Sequence, residues 1–120
     1  MDIGTRDAGP GRVVVVPAGD LDLASVPAFD RALAAVLGRP GLVAVEVDLD
    51  AVGFVDSTGV AALLRAVAEA VGRGATLRAT RPRPVVARVL RITAVDVLLG
   101  LPGGAGDDRP STGPGWRKLR

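Results

Sequence analysis

The chain has 120 residues, 48% of them hydrophobic and 2% aromatic, with a formal net charge of +2 and no His, Cys or Tyr. That length bounds it at about one domain with an aliphatic core. The missing Cys and His exclude disulfides, thiolate catalysis and the commonest metal ligands and general base; the scarcity of aromatics and the small charge argue against nucleic acid as a direct partner.

Residues 1–11 are polar and carry glycines, so they read as a flexible lead-in or a short first strand and not as a secretory signal. No apolar run reaches the roughly 20 residues that cross a bilayer. Together these predict a cytoplasmic protein without a transmembrane segment. Arg12–Ala18 holds four consecutive valines and reads as a buried strand. Ser25 suits a helix N-cap, Pro27 a first turn and Gly38 a stop. Between them Phe29, Leu33, Val36 and Leu37 share one helical face.

Leu42–Leu49 alternates as a strand does, with Val43, Val45, Val47 and Leu49 on one side. Thr58–Val71 reads as a second helix with Val60, Leu64, Val67 and Val71 as its stripe and Gly72 as its stop. Ala75–Ala79 follows as a short strand. Pro84 opens a third helix to about Ile92, with Val85, Val86, Val89 and Leu90 facing inward. Val95–Leu99 is expected as a last short strand. Residues 102–120 change to Gly, Pro, Ser and charged residues without apolar period and read as a flexible basic tail. Trp116 lies in that tail.

Alternating strands and helices predict an α/β domain with parallel pairs joined by right-handed crossovers. Ligands and partners of such sheets meet the loops at strand ends. That directs attention to residues 19–24 and 52–59. The run Val47-Asp48-Leu49-Asp50-Ala51-Val52-Gly53-Phe54-Val55-Asp56-Ser57-Thr58-Gly59 holds the end of a strand and the start of a helix. Asp56, Ser57 and Thr58 are all capping residue types. A helix start offers free N–H groups and partial positive charge, so a phosphate on Ser57 is tolerated there. Taken alone, such a run is most often just an N-cap and turn. Ser57 has no His to activate it as a nucleophile, and no Gly-rich phosphate loop with a Lys is present.

Other residues have plainer readings. Asp48 and Asp50 suggest a metal site with Asp56, but no His joins them and strand-end aspartates are usually solvated or capping. Arg78, Arg81, Arg83, Arg88 and Arg91 read as a solvated face, or as a dock for an acidic partner or anionic lipid. Gly53 and Phe54 read as turn and core.

Three segments in order, Gly19-Asp20-Leu21-Asp22, then Val47 to Leu63 around Asp-Ser-Thr-Gly, then Gly72-Arg73-Gly74-Ala75-Thr76-Leu77, resemble the STAS domain family. The likeness covers residues 10–100 and is greatest to bacterial anti-sigma factor antagonists. It implies a STAS-like fold of about four to five strands in a mixed sheet with three helices, over residues 12–101. It also implies that Ser57 is phosphorylated by an anti-sigma factor that is a serine kinase. The unphosphorylated chain then binds that factor and frees sigma, and a serine phosphatase restores binding. Asp20 and Asp22 match the loop near the phosphosite, and Asp56, Thr58 and Gly59 match the motif around it. On this reading the chain is a substrate and not an enzyme, and needs no cofactor of its own. The competing reading is a non-phosphorylated STAS docking subunit of a lipid-transport or stress-sensing complex.

Overall fold

The computed structural model describes residues 1–102, 114–115 and 117–118. Most of the expected tail, Trp116 included, lies outside the described residues. The elements are β1 (Asp2–Asp7), β2 (Arg12–Leu21), α1 (Val26–Leu37), β3 (Ala44–Asp48), β4 (Val52–Val55), α2 (Ser57–Gly72), β5 (Thr76–Thr80) and α3 (Pro84–Ile92). A separate two-residue ladder pairs Pro114–Gly115 with Arg117–Lys118.

The main sheet is mixed and five-stranded, ordered β1-β2-β3-β5, with β4 paired to β2. β1 runs antiparallel to β2, and the other pairings are parallel. β2 is long enough to serve two parallel partners in turn. It takes β3 along Arg12–Val15 and β4 along Gly19–Leu21. The β2/β4 register shifts between Gly19 and Leu21, and Gly19 has φ +116°, a conformation that favours glycine. Val13, Val15, Val45 and Val47 from the sheet meet Phe29, Leu33 and Leu63 from the helices in one core. The α/β architecture with three helices and five strands is the one the sequence predicts.

Several local expectations need correction. Of the two readings of residues 1–11, the structure shows the first strand, over Asp2–Asp7 and bonded to Val13–Ala18. Its residues are almost all exposed, so they carry no apolar period to read. β2 continues past Ala18 to Leu21, and β4 occupies part of the stretch expected as loop. Val43 is exposed, because the ladder begins only at Ala44. The expected strand at 95–99 is a run of turns. Val95 N–H donates to Leu90, Leu99 N–H to Val95 and Gly100 N–H to Val97, so local bonds take the donors a strand would use. Val95 and Leu99 are still buried, and the Leu99 carbonyl accepts from Ala79 at the sheet edge.

The buried face of α2 also differs from the expected stripe. Gly59, Val60, Ala62, Leu63, Ala66 and Ala70 are buried, whereas Val71 is 65% exposed. Small residues let the helix lie close to its neighbours, and a stripe drawn through the largest aliphatics is rotated off that face. On α3, Val86 and Leu90 are buried and Val85 is exposed.

Candidate functional site

The parallel strands β2 and β4 end at the same edge of the sheet, and each is followed there by a loop and a helix. The Asp56 N–H donates to the Leu21 carbonyl at 3.2 Å, tying the end of β4 to the end of β2. The first turn of α2 then packs directly on Leu21. At Gly59 an added Cβ would run into the Leu21 carbonyl oxygen. The motif glycine is therefore required by close approach, and its absent side chain sets where the helix begins.

Asp56 is the N-cap of α2, with extended backbone (φ −102°, ψ −173°). Its Oδ1 accepts from the Gly59 N–H at 3.0 Å and from the Thr58 hydroxyl at 2.6 Å. The Thr58 hydroxyl, then the Gly59 N–H, with a smaller contribution from the Leu23 N–H, hold the Asp56 carboxyl below the usual carboxylate range. Asp56 is thus ionised at neutral pH and committed to structure. Thr58 is half-buried, with its hydroxyl spent on that carboxylate. Ser57 is the first residue of α2 and is exposed. Its hydroxyl makes no side-chain hydrogen bond to another described residue.

The neighbouring loop is held by its own aspartates. Asp22 Oδ1 accepts from the Ala24 and Ser25 N–H groups, each at 3.1 Å. Ser25 Oγ donates to the Asp20 carbonyl at 2.7 Å and accepts from the Asp22 N–H at 3.0 Å. Ser25 stands at the N-cap position of α1, as expected, but its hydroxyl turns back to brace this loop and caps no helical N–H. Asp20 is exposed, and its Oδ1 lies 3.3 Å from where a Cβ on Gly53 would be. The structure therefore brings Asp20, Asp22, Asp56, Ser57, Thr58 and Gly59 to one edge.

The metal reading of Asp48, Asp50 and Asp56 finds no support. Among the described residues no three His, Cys, Asp or Glu side chains stand close enough to share an ion. Asp48 is 3% exposed and ion-paired with Arg81 at 2.8 Å, neither solvated nor a helix cap. Two members of the expected basic face are also engaged. Arg81 bridges to Asp48 and lies 3.9 Å from Asp50, and Arg83 Nε donates to the Asp50 carbonyl at 2.7 Å.

Two residues that sequence reasoning missed are Leu23 and Phe54. Leu23 is 73% exposed and Phe54 46% exposed, beside the Asp22 loop and the Ser57 turn respectively. Phe54 was expected in the core. The signal that would have found it is the pairing of β4 with β2, which alternation over four residues is too short to show.

The order of these elements and this edge define a STAS-type domain. The family model described as "Mlab, STAS domain" matches residues 5–100, and the chain belongs to that family. Among solved structures it is similar to an anti-sigma factor antagonist from Mycobacterium paratuberculosis. That match has 28% identity and a TM-score of 0.70, and covers 83% of this chain and 85% of the other. It is also similar to the anti-sigma factor antagonist SpoIIAA in its unphosphorylated form, at 18% identity and TM-score 0.67, covering 81% and 84% of the two chains. SpoIIAA of Bacillus in its phosphorylated form matches at 17% identity and TM-score 0.60, covering 81% and 87%. No curated protein sequence matches the chain at a significant level. Among the described residues no helix is long and apolar enough to cross a membrane.

Proposed function

We propose that this protein is an anti-sigma factor antagonist switched by phosphorylation of Ser57. The observation that carries this is a difference between two adjacent hydroxyls. Thr58 donates its hydroxyl to Asp56 at 2.6 Å, while Ser57 stands exposed and free at the helix start. A kinase approaching this edge meets one available acceptor. Its attack on ATP joins Ser57 Oγ to the γ-phosphoryl group, releases ADP and passes the hydroxyl proton to a base on the kinase. The kinase supplies nucleotide, Mg²⁺ and catalytic groups, and this chain supplies the acceptor.

The product carries about −1.5 to −2 charge at Ser57. The partial positive charge of the α2 N-terminus offsets part of it locally, although Asp56 already takes the Gly59 N–H. The docking edge formed by the two loops is changed without unfolding the domain. The unphosphorylated chain binds the anti-sigma factor and frees sigma-dependent transcription, phosphorylation ends that binding, and a serine phosphatase resets it. The 28% identity to an anti-sigma factor antagonist over most of both chains supports this reading above a docking subunit of a transporter.

The test is incubation of the purified chain with ATP, Mg²⁺ and each purified anti-sigma serine kinase of its own genome. One kinase is expected to add a single phosphate to the wild type and to Thr58→Ala, and none to Ser57→Ala. Modification that survives Ser57→Ala, or no modification by any kinase, contradicts the proposal.

A further inference from the structure

The Ser57 edge joins two features that pull in opposite directions. Its loops are acidic: residues 19–29 and 50–64 contain Asp20, Asp22, Asp50 and Asp56 and no Lys or Arg. Among the described residues none of Asp20, Asp22 and Asp56 forms an ion pair. The cations that flank these stretches are partly spent elsewhere: Arg65 pairs with Asp30 at 3.0 Å, and Arg81 and Arg83 are engaged with Asp48 and Asp50. Two large apolar side chains are exposed on the chain segments that meet here, Leu23 just past the end of β2 and Phe54 on β4, whose ends are tied by the Asp56 N–H to Leu21 carbonyl bond. Leu23 follows Asp22, whose carboxylate accepts from the Ala24 and Ser25 N–H groups and holds the loop in place. Phe54 is carried by β4 three residues before Ser57.

An acidic edge calls for a partner face bearing Arg or Lys. Phosphate on Ser57 makes that edge more acidic, so charge alone would tighten such a complex. A switch that turns binding off must act through a different contact. Exposed apolar side chains close to the phosphosite provide one, since a dianion carried into an apolar contact must shed its water inside the rim, where no charge of the rim can replace it. We infer that Leu23 and Phe54 are the apolar anchors of the docking edge, seated in an apolar pocket rimmed by Arg or Lys on the anti-sigma kinase, and that phosphate on Ser57 breaks this dry contact instead of repelling an acidic face. This rests on the antagonist reading and adds to it the chemistry of the partner's surface and the origin of the off state.

The experiment titrates each purified anti-sigma serine kinase of the same genome with wild type, Leu23→Ala, Phe54→Ala, Ile92→Ala and Ser57→Asp. Urea unfolding of each variant runs alongside. Leu23→Ala and Phe54→Ala are expected to weaken binding about tenfold or more, as truncated anchors do. Ile92, 75% exposed at the end of α3, is the control, and Ile92→Ala is expected to bind as wild type does. Leu23→Ala, on a loop, carries the anchor test where Phe54→Ala shifts the unfolding curve. Ser57→Asp is expected to stay weak at about 0.5 M salt, where screening leaves little repulsion between exposed charges.

Wild-type binding with both anchor variants within twofold overturns the anchors and leaves the antagonist reading standing. Equal losses in Ile92→Ala also overturn them. Recovery of Ser57→Asp binding at high salt overturns the dry-contact switch. Failure of every kinase to bind wild type overturns both readings.

Discussion

Two strand ends in this protein begin alike and are used differently. β3 ends in Val47-Asp48, β4 ends at Val55 with Asp56 next in the chain, and each aspartate accepts a backbone N–H from within the next three residues. Asp48 is buried and receives two hydrogen bonds from Arg81, at 3.3 and 2.8 Å. Asp56 is half-buried, meets no cation among the described residues, and is satisfied by the Thr58 hydroxyl and the Gly59 N–H. The first aspartate closes a structural pair with a residue 33 positions away. The second consumes the local donors around it and leaves Ser57 alone in solvent. The supply of partners, and not the residue type, decides which strand end is closed by an ion pair and which leaves a hydroxyl exposed beside it.

The comparison is broken most severely at Arg81. Its backbone has φ +54°, uncommon for a side-chain-bearing residue, and its guanidinium covers the Asp48 carboxylate. Arg81→Ala strands a buried carboxylate and is expected to lower the urea unfolding midpoint more than any other substitution proposed for this protein. The pH dependence sharpens the point. Hydrogen bonding to Arg81, aided by the Asp50 N–H, holds the folded Asp48 below the usual carboxylate range. Its contribution to stability is therefore complete above the unfolded value of about 4. That contribution fades as pH falls through the depressed folded value. In Arg81→Ala the sign reverses at this site, because a buried unpaired carboxylate is relieved by protonation. Unfolding curves from pH 7 down to 3 read this directly. A variant as stable as wild type, with an unchanged acid limb, contradicts the structural role.

A smaller effect belongs to the switch end. Asp56→Ala removes the N-cap of α2 and frees the Thr58 hydroxyl, at an expected cost of about 1 kcal/mol. The kinase should then phosphorylate Thr58 as well as Ser57, seen as phosphothreonine by peptide mass spectrometry. Persistent selectivity for Ser57 would mean that the hydrogen bond to Asp56 is not what excludes Thr58.

How much of this was legible in the sequence follows the same physics. The inward face of α1 is written in Phe29, Leu33, Val36 and Leu37, all large and all buried. The Val13–Val15 run announces a buried strand, and Asp-Ser-Thr-Gly announces the turn at Ser57. β1 is legible only as one of two readings, because its ladder lies at a sheet edge whose side chains face water. The packed face of α2 is hidden because alanines and a glycine make it, chosen for close approach more than for apolar area. The Asp48–Arg81 pair is hidden because nothing local links residues so far apart in the chain. Phe54 misleads because a large aromatic in an aliphatic protein is expected inside, and here the pairing of β4 leaves it at the edge.

The central claim is that one free hydroxyl at the start of α2 governs docking. The most direct measurement is calorimetric titration of the anti-sigma kinase with two samples of this chain, one unphosphorylated and one phosphorylated at Ser57. The account predicts at least a tenfold loss of affinity on phosphorylation, with the unfolding midpoint of the domain nearly unchanged. Equal affinity of the two samples would contradict it.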